Sequence, residues 1–204
     1  MNLNSQVKSF KKKIEEYAKI TGFFEIARRY FVMNSFDGIL TILGVIIGAH
    51  IGGVTEPHII ISASLAGSVA LGISGFSSAY MTEKAERTRK LKGLEKAMLV
   101  DLENTIQGEA SRFVDFATAL INGISPTLAS FIILTPFFGA HFRLLSGAQA
   151  FWASVSLAFI LLFGLGAYLA KISDENILKY GSRMLVVGLV AAFASMILAL
   201  LLSA

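Results

Sequence analysis

Asp37 is the residue with the most chemical consequence. It opens a long apolar run, Phe36–Val54, and is the only acidic residue within any such run of the chain. A carboxylate in hydrocarbon is costly, and one retained there marks an ion or proton path. Thr41, Gly44 and Gly48 follow at spacings of 4, 7 and 11 residues, which keeps them on the same helical face. That face offers a carboxylate, a hydroxyl and then bare backbone, oxygen donors suited to Mn²⁺ and acceptable to Fe²⁺. The competing reading is that Asp37 caps a helix start near the headgroups. Gly44, Gly48 and Gly52 also form a doubled small-xxx-small pattern, which predicts close approach of another helix.

Other candidates are weaker. Glu83 and Glu86 stand one helical turn apart and suit a cation-collecting role at a cytoplasmic mouth. The alternative makes them solvated salt-bridge partners of Lys84, Arg87 and Lys90. Met33, Met81 and Met184 are soft metal ligands or ordinary gap-fillers. His50 follows Asp37 by 13 residues, about 20 Å along a helix and on its opposite face, so the two cannot share a metal. Cysteine is absent, which excludes disulfides, thiolate ligands and cysteine nucleophiles. No HExxH, Glu-x-x-His, GxSxG or phosphate-binding glycine loop is present, so neither an enzyme nor a resident cofactor is expected.

These residues need a membrane to position them. Of 204 residues 54% are hydrophobic and 16% charged, against about 25% charged in soluble domains, and mean hydropathy is +0.66. A spanning helix takes about 20 mostly apolar residues. Five stretches qualify: Phe36–Val54, His58–Tyr80, Phe116–Phe138, Ala148–Ala170 and Ser182–Ser203. The third is interrupted by Asn122, Gly123, Ser125 and Pro126, which predicts either a proline kink or a broken helix exposing carbonyls to a cavity. The second is rich in small and polar residues, Ser74 and Ser78 among them, which points to tight packing or a polar cavity.

The basic residues fix the expected topology. Seven Lys and Arg precede the first span, seven lie between the second and third, and three between the fourth and fifth when Arg183 at the very start of the fifth is included; the two remaining loops hold only Arg143. Alternate basic loops predict five crossings, with a cytoplasmic N-terminus and the C-terminus outside. The net charge of +4 therefore belongs to topology and not to nucleic-acid binding. About 35 residues precede the first span, too many for a secretory signal peptide. Residues 5–31 read as an amphipathic interfacial helix, with Val7, Phe10, Ile14, Tyr17 and Phe24 near one face. The organisation expected is a cytoplasmic amphipathic helix over 1–33, then a five-helix domain over 34–204. The latter includes a polar segment, 81–115, read as two helices that break at Gly93 or Gly108.

The stretch Arg29-Tyr-Phe-Val-Met-Asn-Ser-Phe-Asp37-Gly38-Ile-Leu-Thr41-Ile-Leu-Gly44-Val-Ile-Ile-Gly48 resembles the first-helix signature of the vacuolar iron transporter family. Leu65-Ala66-Gly67, Tyr80 at that family's tyrosine position, and Arg183-Met184-Leu185 with Gly188 are also similar to it. The resemblance implies an all-α homodimer in a lipid bilayer, with a metal path near the subunit interface. It implies Fe²⁺ or Mn²⁺ as substrate, moved out of the cytosol in exchange for protons. Asp37 falls on the family's aspartate. Metal contacts are then expected at Asp37, Thr41, Glu83 and Glu86, along a path past Gly44, Gly48, Ser74, Ser78 and Tyr80. The host would be the cell membrane of a prokaryote, or a vacuolar or other organellar membrane of a eukaryote. Where the family has a methionine and a glutamate in its second helix, this chain has Gly75 and Ala79. Its glutamate-rich cytoplasmic helices are shortened here. A carrier of another solute, or a scaffold that transports nothing, is the alternative.

Overall fold

A computed structural model of the chain describes residues 14–102 and 105–203. Among them there are six helices and no strand: α1, described over 14–21, then α2 (Phe23–Ile51), α3 (Pro57–Met98), α4 (Ile106–His141), α5 (Gly147–Ile172) and α6 (Ile177–Ser203). Helices α2 to α6 are each long and apolar enough to cross a bilayer. The chain is an all-α membrane protein. Helix α3 has 42 residues, about 63 Å at 1.5 Å per residue, twice the ~30 Å hydrocarbon core of a bilayer.

The chain forms two compact units, and α2, α3 and α4 contribute to both. One comprises Val32–Gly72 and Ser125–Ala204. Its core is aliphatic: Ile39, Ile42, Leu43 and Ile46 of α2, Ile133 and Leu134 of α4, and Leu162 of α5 are almost wholly buried. The outer surface is just as apolar, with Val190 63%, Leu201 71% and Leu202 81% exposed on α6. A soluble protein cannot present so continuous an apolar face; hydrocarbon is its solvent. Lipid is as apolar as Leu, so helix association there depends on close packing and interhelical hydrogen bonds. Gly38 shows the first: a Cβ on it would lie 2.7 Å from both Cα and the carbonyl oxygen of Pro126 on α4. Thr127 shows the second, its hydroxyl donating to the Ser68 carbonyl of α3 at 3.3 Å.

The other unit comprises Met1–Phe31 and Ile73–Ile124. It holds α1, the first turns of α2, the polar half of α3 and the first half of α4. Phe113 of α4 meets the rings of Tyr17 and Phe23 at 5.9 and 6.0 Å. Asn122 donates to the Gly75 carbonyl at 2.6 Å, joining α4 to α3.

Several elements differ from the sequence expectations. The helix expected over 5–31 is interrupted at Gly22, whose φ of +65° is left-handed, and residues 23–31 belong to α2. Residues 5–13 of that expectation, with Val7 and Phe10, lie outside the described residues. Between α3 and α4 the helix breaks at neither Gly93 nor Gly108, both of which are helical. It breaks after Met98, where Leu99 adopts φ +54°. The third span is not broken: α4 runs through Pro126 and Pro136, although Pro126 cannot donate to the carbonyl four residues back. The Ser130 hydroxyl donates to the Pro126 carbonyl at 2.7 Å, a local bond that accompanies the continuous helix.

Candidate functional site

Helix α2 starts at Phe23, so Asp37 lies 14 residues inside it, about 21 Å from the helix start. It caps nothing, and the capping alternative is set aside. Neighbouring helical residues diverge by about 100°, and the Asp37-Gly38 pair uses that divergence. Gly38 is buried against Pro126 while Asp37 is exposed. Contact with α4 at Gly38 therefore sets which way the carboxylate faces. Thr41, Gly44 and Gly48 share the Asp37 side of the helix and are half-buried. Further along, Gly44, Gly48 and Gly52 line an open groove of about 480 Å³ with Ser195, Leu198 and Leu202 of α6. A Cβ at Gly44 would lie 3.1 Å from the Ser195 hydroxyl, whereas one at Gly48 would meet nothing within 4 Å. The small-residue stripe thus leaves a furrow that this chain alone does not fill.

In the unit built from Met1–Phe31 and Ile73–Ile124, the carboxylates lie among cations. Arg87 on α3 stands 3.5 Å from Glu83 one turn earlier and 2.9 Å from Asp115 on α4. The Arg87 and Asp115 side chains are only 11% and 8% exposed. Their contact is close without being aligned as a hydrogen bond. Tyr30 of α2 donates to Glu83 at 2.8 Å, so one polar chain ties three helices together. Glu86 is exposed and pairs with Lys90 at 3.5 Å. Sequence reasoning found Glu83 and Glu86, but not that Tyr30 donates to Glu83 or that Asp115 shares Arg87 with it. The Glu83–Arg87 pair carries an i,i+4 signal; the link to Asp115 crosses between helices and carries none.

The remaining expected path residues lie on α3. Ser74 and Ser78 are exposed, and the Ser78 hydroxyl donates to the Gly75 carbonyl at 3.2 Å. Tyr80 stacks on Phe76 with ring centres 6.3 Å apart, and the Lys84 ammonium stands 5.6 Å from its ring. Ala79 is buried and has no donor atom on its side chain. His50 stacks on Phe151 at 4.0 Å. Among the described residues no group of three or more His, Asp and Glu is placed to hold a metal ion. Among the described residues Asp37 is the single carboxylate inside one of the five apolar runs, with Thr41 one helical turn along. A hard cation takes oxygen ligands in larger number than this one face of one chain offers.

The sequence matches the family model described as the VIT family over residues 91–200, more than half of its length. It is also similar to an uncharacterized protein of Methanocaldococcus jannaschii. The two are 33% identical over 171 residues, covering 82% of this chain and 86% of that relative. The family match begins beyond Asp37, so the place of that residue rests on its own motif and geometry.

Proposed function

The chain belongs to the VIT family, membrane transporters of metal ions, and from that premise we propose that it moves Fe²⁺ or Mn²⁺ out of the cytosol in exchange for protons. One observation carries the reading: Asp37 stands in the interior of an apolar spanning helix with its side chain exposed. Facing lipid, a carboxylate costs about 3 kcal/mol or more. A second copy of the chain, meeting the first along the Asp37 side of α2, takes the carboxylate out of lipid, and a cation held between the two Asp37 side chains offsets their mutual repulsion. The second copy also doubles the oxygen ligands at one point of the path. The reading is therefore a homodimer with the metal between the two α2 helices, bound by Asp37 and Thr41. The bare backbone at Gly44 and Gly48 lets the ion pass onward. Asp37 is the titratable group that exchanges metal for proton.

At the basic end, taken as cytosolic, Glu83 and Glu86 serve as collectors by trading Arg87, Tyr30 and Lys90 for the ion. Ser74 and Ser78 provide weak oxygen contacts. Gly75 and Ala79 supply no side-chain ligand, so Asp37 carries more of the binding than in relatives that have ligands there.

The test is uptake of Mn²⁺ and Fe²⁺ into proteoliposomes by wild type and Asp37→Asn. Asn is close in shape and polarity but has no charge and no titratable proton. The expected outcome is loss of flux with unchanged folding and dimerisation. Undiminished flux through a well-folded Asp37→Asn protein places the site elsewhere. A wild-type protein that moves neither metal favours the alternative, a carrier of another solute.

A further inference from the structure

Where α3 and α4 continue past their apolar spans, they enclose a pocket of about 420 Å³ whose chemistry is opposite to that of a metal site. Tyr80, Arg87 and Asp115 line it together with Lys84, Lys92 and Arg112. Arg87 and Asp115 neutralise each other at 2.9 Å. Glu95 also reaches the pocket, but its carboxylate already accepts the Leu102 backbone N–H at 3.1 Å. The remaining Lys84, Lys92 and Arg112 are exposed, and among the described residues none of them pairs with a carboxylate. Among the described residues that line it, three cations without a carboxylate partner against one engaged carboxylate leave the pocket net positive by about two charges at neutral pH. It repels Mn²⁺ or Fe²⁺ and attracts an anion. Thr88 and Ser111 also line it, and their hydroxyls are neutral donors.

We infer that this pocket binds an anionic phosphate group. A guanidinium fork flanked by ammonium and hydroxyl donors matches the tetrahedral oxygens of phosphate. Two sources share that chemistry, a lipid headgroup and soluble phosphate. The pocket's place favours the lipid. Tyr80 and Asp115 adjoin the last apolar residues of the two spans, where Phe76 and Phe116 meet edge to face at 5.9 Å and Phe116 is 54% exposed. Lys84 and Arg112 each stand four residues past those apolar ends, Tyr80 and Phe116, about 6 Å along the helix and at headgroup height, where basic pockets between spanning helices hold anionic lipid; Lys92, about 18 Å past Tyr80, bounds the far side of the pocket. The inference is independent of which ion the protein carries.

The experiment uses the full-length protein, purified and delipidated in a neutral detergent. Phosphatidylglycerol, phosphatidylcholine and inorganic phosphate are titrated separately, with retention in native mass spectrometry and thermal stabilisation as readouts. Wild type should retain phosphatidylglycerol and be stabilised by it at concentrations where phosphatidylcholine does nothing. The triple variant Lys84→Gln, Lys92→Gln, Arg112→Gln should bind it on the order of a hundredfold more weakly, each cation near an anionic surface being worth about fivefold. A control triple, Lys171→Gln, Lys179→Gln, Arg183→Gln, removes equal charge elsewhere and should bind as wild type. If the first triple does not fold, Arg112→Gln alone should weaken binding several-fold. Stabilisation by inorganic phosphate at the same concentrations supports the site and assigns it to soluble phosphate; its failure beside phosphatidylglycerol assigns it to the headgroup. Equal binding of both lipids, unchanged binding by the rim triple, or equal loss in both triples overturns the inference.

Discussion

At the scale of single residues, the two carboxylates nearest the apolar spans have opposite fates. Asp37 reads from the sequence as an intramembrane carboxylate, and in the folded chain it is exposed. Asp115 falls just outside the third apolar run, yet it is buried against Arg87. The difference lies in partners. Asp115 has a guanidinium at 2.9 Å, and two buried charges are tolerable only when each answers the other. Breaking such a pair by removing one partner costs roughly 3–5 kcal/mol. The expected cost of Asp115→Asn is at the low end of that range, because Arg87 keeps Glu83 at 3.5 Å. Thermal melting in detergent checks this. Asp115→Asn combined with Arg87→Gln should cost less than the sum of the two single changes, because residues in contact couple. A fully additive double variant shows that the pair contributes nothing as a pair.

At the scale of helices, what decides the packing is where backbone meets backbone. Gly38 and Gly48 look alike in the sequence, both glycines in an apolar stretch of α2. A Cβ at Gly38 would lie 2.7 Å from Pro126 backbone atoms, while one at Gly48 meets nothing within 4 Å. Gly38→Val therefore forces α2 and α4 apart, and overpacking of this kind costs about 1–3 kcal/mol, occasionally more. Gly48→Val should leave the melting temperature of the detergent-solubilised single chain within a degree or two, since no such clash arises. Equal melting of the two variants refutes the close crossing. Helix ends show the same dependence on context. Leu99, Arg143 and Asp174 take left-handed φ values of 54°, 60° and 50° just past α3, α4 and α5. A glycine is the usual residue there, which is why a reading guided by glycine placed the first of these breaks at Gly93 or Gly108.

At the scale of the whole molecule, the open furrow along α2 and α6 and the exposed Asp37 lie on surfaces that one chain leaves uncovered. The proposed homodimer, with two copies meeting along α2, would cover both, and Gly48→Leu tests this by filling the furrow. The expected result is a weaker dimer by cross-linking in membranes, with melting of the single chain unaffected. A dimer of undiminished strength moves the interface away from Gly48. This outcome is separable from the transport test, because Asp37→Asn leaves the furrow open.

Class and helix count were legible in the sequence because the bilayer imposes a length and a polarity on every spanning segment. Five runs of about 20 apolar residues admit few other readings; each corresponds to one of α2 to α6, the first overshooting the end of α2 at Ile51 by three residues. The Asp37 face was legible as well, since positions 37, 41, 44 and 48 follow from helical periodicity alone. Tertiary structure decided the rest. Whether Asp37 caps a helix or stands inside one depended on where α2 begins, and residues 23–31, interrupted by Glu25, Arg28 and Arg29, gave no membrane signal of that start. Whether Pro126 breaks α4 depended on the packing around it, against Gly38 on one side. That Arg87 would answer Asp115, and leave Lys84, Lys92 and Arg112 around an anion-sized pocket, depended on α3 and α4 meeting beyond their apolar spans. Periodicity ranks the faces of one helix; it holds no information about which charge on the next helix will stand opposite.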